Sequence, residues 1–223
     1  MEISEAKRFL GNFPIEPKKV YSQTGEEGIL EYIFENIGTT NNFLVDFGAG
    51  DGIWLSNSKL LLEEHGFTGL RMDGNGTNDV KKEFITRENI LELFDKYEVP
   101  TDFDLLSIDI DGNDYWVLKE ILTKHTPRVI VAEFNGCLPV GISQTIAYNP
   151  NHTYQGNDYY GASFEAIKRL CKDYVVVHES TNLNMFLIHK YIMGNIEPNI
   201  PHAQTQYHPH FEGGDWVVNP ESL

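Results

Sequence analysis

The chain has 223 residues, of which 41% are hydrophobic and 12% aromatic, and this composition excludes a disordered polypeptide. Its 33 acidic and 17 basic residues give a net charge of −16. This charge excludes the class of basic proteins that bind nucleic acids or anionic membranes. Two cysteines, Cys137 and Cys171, do not make a disulfide framework. The opening "MEISEAKRFLGNF" has no apolar signal segment, and no apolar run of about eighteen residues follows, so we expect a cytoplasmic protein.

Predicted helices and strands alternate along the chain. A capping box of Thr24 and Glu27 is expected to begin a helix that carries Ile29 to Ile37, and Gly38 is expected to end it. The segments that follow are a strand at 43–47, a helix in 56–66, a strand at 68–74, a short strand and a helix in 83–100, a strand at 103–108, a helix at 115–122, a strand at 128–136, a helix in 161–173, and strands at 174–180 and 184–190.

This order predicts the fold. Five strands that alternate with helices should be parallel, and the last two, joined by a short polar connection, should pair as an antiparallel hairpin. The predicted class is α/β: a Rossmann-like seven-stranded sheet, mostly parallel, with a C-terminal antiparallel hairpin and helices on both faces. We expect an N-terminal helical segment at 1–38, a core domain at 39–192, and an extension at 193–223 that packs on the core.

Glycines and carboxylates follow the first two strands. The spacing in "GAGDG" is G-x-G-x-G, which differs from the G-x-G-x-x-G that receives a pyrophosphate at a helix N-terminus. A carboxylate that ends the second strand can bind both hydroxyls of a ribose. The pattern therefore favours S-adenosylmethionine over NAD as cofactor. The candidate cofactor-binding residues are Asp46, Gly48, Gly50, Asp51, Gly52, Asp73, Thr86, Asn89 and Asp109.

Three blocks resemble a known family. "FLVDFGAGDG", "LLSIDIDGNDYWVLKEI" and "RVIVAEFNG" resemble conserved blocks of FkbM-type class I S-adenosylmethionine-dependent methyltransferases, and "SQTGEEGI" is similar to a block upstream of the cofactor loop in some relatives. The resemblance covers about residues 20–190. It implies a seven-stranded sheet with a terminal hairpin, and methyl transfer to hydroxyls of sugars or secondary metabolites. One departure is that the family usually has Val-Glu-Gly where this chain has Ile110-Asp111-Gly112.

Oxygen ligands end the fourth and fifth strands. Asp109, Glu133 and Asn135 should converge beside the methyl group, because the carboxyl ends of neighbouring parallel strands meet at one sheet edge. Such a set suits Mg²⁺ or another divalent cation, which lowers the pKa of an acceptor hydroxyl. The alternative is that Asp109 binds the methionine amino group or caps the next helix, while Asn135 turns the loop.

The candidate catalytic residues are Asp109 and His152. His152 lies in the loop 136–160, which follows the fifth strand and should overhang the acceptor, so it is a candidate base; a solvated histidine without a role is the alternative. Trp54, just after the glycines, is expected in the core, with stacking on the substrate as the alternative.

Two metal motifs are disfavoured. Asp109, Asp111, Asn113 and Glu120 have the spacing of an EF-hand calcium loop, but Asp114 stands where that loop requires glycine, and a strand precedes it instead of a helix. The tail histidines His202, His208 and His210 have no cysteine or acidic partner at zinc-ligand spacing.

The sequence thus predicts an enzyme, an S-adenosylmethionine-dependent O-methyltransferase. Its partner is expected to be a small polar molecule, a sugar or nucleotide-sugar used in surface polysaccharide or secondary-metabolite biosynthesis, with no nucleic-acid or membrane partner. The alternatives are an NAD-dependent oxidoreductase and a module that binds S-adenosylmethionine without catalysis. The sequence leaves open whether the chain forms a homo-oligomer.

Overall fold

Seven strands form the main sheet of the computed structural model, which describes residues 1–223. The whole chain has nine strands: β1 (Phe43–Phe47), β2 (Thr68–Asp73), β3 (Lys81–Lys82), β4 (Asp102–Ile108), β5 (Thr126–Glu133), β6 (Gln144–Ile146), β7 (Tyr174–Ser180), β8 (Asn184–His189) and β9 (Trp216–Val218). The main sheet has the order β3-β2-β1-β4-β5-β8-β7, and β6 pairs with β9 in a separate ribbon. Strands β1 to β5 are parallel, whereas β8 is antiparallel to β5 and β7. This sheet confirms the predicted fold class.

Helices cover both faces of the main sheet. They are α1 (Ile3–Leu10), α2 (Glu26–Ile37), α3 (Lys59–Glu64), α4 (Ile90–Lys96), α5 (Asp114–Ile121), α6 (Phe164–Leu170) and α7 (Lys190–Met193), with a 3₁₀ turn at Pro220–Ser222. Successive strand residues point to opposite faces, so Leu105 packs with α1 and α2 whereas Leu106 packs with α4, α5 and α6. None of the seven helices combines the length and the apolar composition needed to cross a bilayer.

The start of α2 differs from the prediction. Glu27 does not form a capping box with Thr24; its carboxylate accepts hydrogen bonds from the backbone amides of residues 20–22, at 2.6 to 3.1 Å. The Thr24 amide donates to Glu26 instead, at 2.7 Å. Gly25 at φ +98° turns the chain so sharply that both carboxylates face the loop before the helix. They are fully buried there and fix the path of that loop.

The corner between β4 and α5 is not an EF-hand. The Asp114 carboxylate accepts the backbone amides of Ile110 at 2.7 Å and Gly112 at 2.8 Å, so a side chain closes the turn that a calcium loop makes with glycine. Asp111 adopts φ +53°, a left-handed conformation that aspartate tolerates better than most residues. Glu120 belongs to α5 and does not line the cavity formed at this corner.

The C-terminal tail follows the edge of the sheet where the parallel strands end. The Thr205 amide donates to the Gly136 carbonyl at 2.8 Å, and the Tyr207 hydroxyl donates to the Thr181 carbonyl at 2.6 Å. Farther on, β9 pairs with β6 inside the long loop after β5. The tail therefore lies over the carboxyl ends of the strands.

Candidate active site

A cavity of about 730 Å³ lies at the carboxyl edge of the parallel strands. It is lined by Gly48 after β1, Asp73 at the end of β2, Asp109 after β4 and Glu133 at the end of β5, and the loop 152–154 lines another side. The strand order reverses between β1 and β4, which is where open α/β sheets bind ligands. Its volume is within the range of small-molecule sites.

A glycine corner forms one wall of the cavity. Gly48 has φ +67°, and a Cβ atom there would lie 1.5 Å from the Asp109 carbonyl oxygen, so only glycine allows the ends of β1 and β4 to approach so closely. The Gly50 amide donates to Asp73 Oδ2 at 3.1 Å, and the Asn75 amide donates to Asp73 Oδ1 at 2.7 Å. These bonds fix the Asp73 carboxylate at the cavity wall, and each oxygen retains a lone pair for a ligand hydroxyl.

The glycine loop and the segment after β3 supply apolar surface. Asp51 accepts the backbone amides of residues 53 and 54, at 2.9 and 2.8 Å, and this turn projects Trp54 outward. Trp54 is 75% exposed and lines the cavity, so its expected place in the core is wrong. Leu55, Phe84 and Ile85 line the same cavity.

Four predicted cofactor residues do not line the cavity. Asp46 is buried in β1 and accepts a hydrogen bond from Ser58 before α3, and burial raises the pKa of Asp46 to about 6. Thr86 and Asn89 cap α4: the Thr86 amide donates to Asn89 Oδ1 at 2.8 Å, and the Asn89 amide donates to the Thr86 hydroxyl at 3.3 Å. Gly52, at φ +75°, accepts a hydrogen bond at its carbonyl oxygen from the guanidinium of buried Arg71. Each of these residues supports the elements that line the cavity.

Three carboxylates meet where β4 and β5 end. Asp109, Asp111 and Glu133 each offer an oxygen, and these oxygens lie within 4.8 Å of one another; we call these residues the carboxylate triad. Burial raises the pKa of Asp109 to about 8, helped by the charges of Asp111 and Asp114. Burial and the neighbouring Asp109 also raise the pKa of Glu133 well above its usual range.

Asn135 does not join the triad. Its amide nitrogen donates to the backbone carbonyls of Asp158 at 2.8 Å and Tyr160 at 2.9 Å, and its oxygen accepts the Cys137 amide at 3.0 Å. The amide group of Asn135 is therefore engaged in hydrogen bonds with the loop that follows β5, and the side chain does not line the cavity. Asp111 stands in the place that the sequence predicted for Asn135.

Three buried polar atoms of the cavity lining have no hydrogen-bond partner: Glu133 Oε2, Asn184 Oδ1 and His152 Nε2. Buried polar groups without partners are rare in folded proteins, and at a cavity wall they indicate where a ligand binds. Asn184 Oδ1 only accepts hydrogen bonds, Glu133 Oε2 accepts when its carboxyl is ionised, and His152 Nε2 accepts when the proton is on Nδ1. No lysine or arginine lines the cavity. The wall therefore matches a ligand that donates hydrogen bonds or carries positive charge.

His152 packs against the turn after β4. A Cβ atom on Gly112 would lie 2.4 Å from His152 Cδ2, so this glycine makes room for the imidazole. Burial lowers the pKa of His152, although the backbone and carboxylate of Asp111 oppose the shift. The imidazole is thus neutral at pH 7 and able to accept a proton.

The tail adds a residue that sequence reasoning did not identify as part of the site. His208 lines the cavity, and its Nδ1 lies 2.9 Å from the Tyr154 hydroxyl oxygen. His202 stacks instead on an aromatic ring of α6, and His210 pairs with Asp158 at 2.7 Å. The three tail histidines contact separate partners. No periodicity in the tail sequence indicates that one of them lines the cavity.

The upstream block "SQTGEEGI" also contributes to the lining. Gln23 lines the cavity, beside the loop held by the two buried carboxylates of α2. Glu26 accepts hydrogen bonds from Ser180 at 2.9 Å and from Asn184 Nδ2 at 3.3 Å, and so ties this loop to the hairpin of β7 and β8. No pattern within this block indicated that Gln23 would line the cavity.

Comparison with known proteins finds distant structural likeness only. No family model matches the chain, and no curated protein matches it. Two solved structures of the EvdMO1 N-terminal domain are similar in fold: one in the presence of SAH and D-fucose (TM-score 0.43, 85% of this chain and 97% of that chain covered) and one with SAH bound (TM-score 0.42, 84% and 95% covered), each at 11% identity. Likeness at this level does not carry an activity from one protein to another.

Proposed function

We propose that the chain is an S-adenosylmethionine-dependent methyltransferase that acts on a hydroxyl of a small polar acceptor, a sugar. One observation carries this proposal: a single cavity joins the carboxylate held at the glycine corner, Asp73, to the acceptor-rich wall at the carboxylate triad. The first part suits a nucleoside and the second suits a polyhydroxyl compound.

Residues at the strand ends would hold the cofactor. Asp73 would bind the ribose hydroxyls and Phe84 and Ile85 would contact the adenine, while Gly48 and Asp109 line the part of the cavity that remains for the methionine portion. After the glycines the chain continues through a loop, and α3 begins only at Lys59. No helix N-terminus therefore directly follows the glycines to receive a pyrophosphate, and this favours S-adenosylmethionine over NAD.

Methyl transfer then requires alignment and one proton acceptor. S-adenosylmethionine would supply the methyl group: a lone pair of the acceptor oxygen would form the new C–O bond as the C–S bond breaks, and the electron pair of that bond would stay on the sulfur as a thioether. The hydroxyl proton moves to a base, and His152 suits this role because its imidazole is neutral and partly buried and its Nε2 has no hydrogen-bond partner. The carboxylate triad orients the hydroxyls of the acceptor.

The charge of the wall narrows the acceptor class. A nucleotide-sugar carries a diphosphate, which proteins usually bind with arginine, lysine or helix N-termini. Because no lysine or arginine lines this cavity and six carboxylates do, a sugar without phosphate is favoured. The apolar surface of exposed Trp54 offers a place for the apolar face of a sugar ring.

A methyl-transfer screen tests the acceptor class. Radiolabelled S-adenosylmethionine is incubated with the protein and matched sets of free sugars, amino sugars, sugar phosphates and nucleotide-sugars, with product identified by mass spectrometry. We expect methylated product from a sugar without phosphate and at least about tenfold less from its phosphorylated counterpart. Turnover restricted to the nucleotide-sugars would contradict the proposed class, and turnover of no acceptor would leave a binding module as the better description.

A further inference from the structure

We propose that the carboxylate triad, Asp109, Asp111 and Glu133, binds one hard divalent cation of the Mg²⁺ class. The inference rests on the side chains at the ends of β4 and β5 and does not depend on the methyl-transfer reaction. It replaces the ligand set expected from the sequence, because Asp111 and not Asn135 faces the other two carboxylates.

The spacing of the triad matches one shared ion. Its three oxygens lie within 4.8 Å of one another. Oxygens bound to a common Mg²⁺ or Ca²⁺ ion at about 2.0–2.6 Å are separated by at most about 4–5 Å. The side chains therefore need only small adjustments to bind the same ion.

Asn184 gives an independent indication of a ligand at this place. It lies directly opposite Glu133 in the register of β5 and β8, and it is only 3% exposed. Its Nδ2 donates to the Glu26 carboxylate at 3.3 Å, so Oδ1 is the atom left without a partner. Glu133, at 7% exposure, likewise has an unpartnered Oε2. An ion with its bound water satisfies both atoms, since Asn184 Oδ1 accepts only and a carboxyl group that binds a cation is ionised.

Charge and ligand type specify the kind of ion. The triad concentrates carboxylates in a cavity that no lysine or arginine lines, so a cation relieves their mutual repulsion. All three ligands are oxygens, and neither cysteine lines the cavity, which favours Mg²⁺ or Mn²⁺ over Zn²⁺ or Cu²⁺. Three protein ligands also leave positions for water or for acceptor hydroxyls, whose pKa such an ion lowers.

Manganese titration tests the site without an assay of activity. The protein is treated with EDTA, exchanged into metal-free buffer and titrated with MnCl₂, and free Mn²⁺ is measured by electron paramagnetic resonance. We expect one ion per chain, displaced by Mg²⁺, with Kd raised at least about tenfold in Glu133→Gln and in Asp111→Asn. Asp111 is exposed, and asparagine also tolerates its left-handed backbone, so this variant decides the question if Glu133→Gln does not fold.

Glu83→Gln is the matched control. Glu83 also lines the cavity, but Lys96 and Tyr97 engage its carboxylate, so we expect its loss to change the Kd for Mn²⁺ by less than about twofold. Absence of bound Mn²⁺, or equal affinity in wild type and both triad variants, would overturn the inference. If the protein binds S-adenosylhomocysteine but does not bind Mn²⁺, only the cation site is rejected. If it binds Mn²⁺ but does not bind S-adenosylhomocysteine, only the proposed function is rejected.

Discussion

Asp46 and Asp104 are both buried in neighbouring strands, yet their surroundings shift their pKa values in opposite directions. Burial raises the pKa of Asp46 to about 6, against weaker hydrogen bonds and the charge of Arg71. Burial also acts on Asp104, but the Arg128 guanidinium at 2.6 Å and the backbone amides of residues 40–42 lower its pKa below the usual value. The two residues therefore contribute opposite pH dependences to stability.

The sign follows from proton linkage. A carboxyl whose pKa is higher in the folded state stabilises the fold below its unfolded pKa, and this contribution is lost as the pH rises through the folded value. For Asp46 the range is about pH 4 to 6 and the contribution is about 3 kcal/mol. Asp104 has the opposite sign, so its contribution is present near neutral pH and is lost on acidification.

Urea unfolding from about pH 2, which is below the pKa of an unfolded aspartate, up to pH 7 measures both contributions. We expect Asp46→Asn to lose less unfolding free energy than the wild type as the pH rises, because asparagine does not ionise. Asp104→Asn should be destabilised by about 3–5 kcal/mol near pH 7, since it leaves Arg128 buried without its partner, and by less at low pH. Parallel pH profiles for the wild type and both variants would refute the assignment.

Single residues also mark the limit of prediction from the sequence. Spacing placed Asp109, Glu133 and Asn135 at neighbouring strand ends, but it carried no information about which side chain turns into the cavity. The left-handed backbone of Asp111 and the capture of Asn135 by the loop at 158–160 decide that outcome. Both depend on turn conformation or on contacts with residues distant in the sequence.

At the scale of elements, the corner between β4 and α5 has two interpretations, an EF-hand calcium loop and part of an active site. In an EF-hand, Glu120 is the indispensable bidentate ligand. In this structure Glu120 lies in α5 outside the cavity lining, whereas Asp109 lines the cavity. The two interpretations therefore predict opposite effects on activity when Asp109 and Glu120 are substituted.

We expect Asp109→Asn to lower kcat by about 10²-fold or more, because it removes a group that orients the acceptor. Glu120→Gln makes the same kind of chemical change at the far end of α5 and should leave kcat near the wild-type value. Steady-state kinetics with the acceptor found in the screen measures both. Loss of activity in Glu120→Gln together with calcium-dependent folding would contradict the interpretation of this corner as part of an active site.

Elements with a strong periodic pattern were predictable, and those built from distant contacts were not. The buried strands and the final hairpin follow from apolar runs bounded by turns, and they are confirmed. The ribbon of β6 and β9 joins residues about seventy positions apart in segments without periodicity, so no local signal indicates it. Trp54 was misplaced because its exposure follows from the turn at Asp51 and not from its apolar character.

At the scale of the whole molecule, the chain brings its beginning, middle and end to one cavity. Gln23 comes from the segment before α2, the triad comes from the central strands, and His208 comes from the tail. The parallel strands whose carboxyl ends meet at this edge were predictable, because parallel pairing follows from the alternation of strands and helices. Which residues of the covering segments reach the cavity was not predictable, because hydrogen bonds between loops distant in the sequence hold those segments.

Calorimetry with S-adenosylhomocysteine and NADH tests the central claim most directly. We predict that S-adenosylhomocysteine binds the wild type, that Asp73→Ala weakens this binding by about 1–3 kcal/mol through loss of the ribose contact, and that NADH does not bind. Asp95→Ala, an exposed change in α4 away from the cavity, should bind as the wild type does. Tight binding of NADH with no binding of S-adenosylhomocysteine would contradict the account, leaving the fold but not the proposed function.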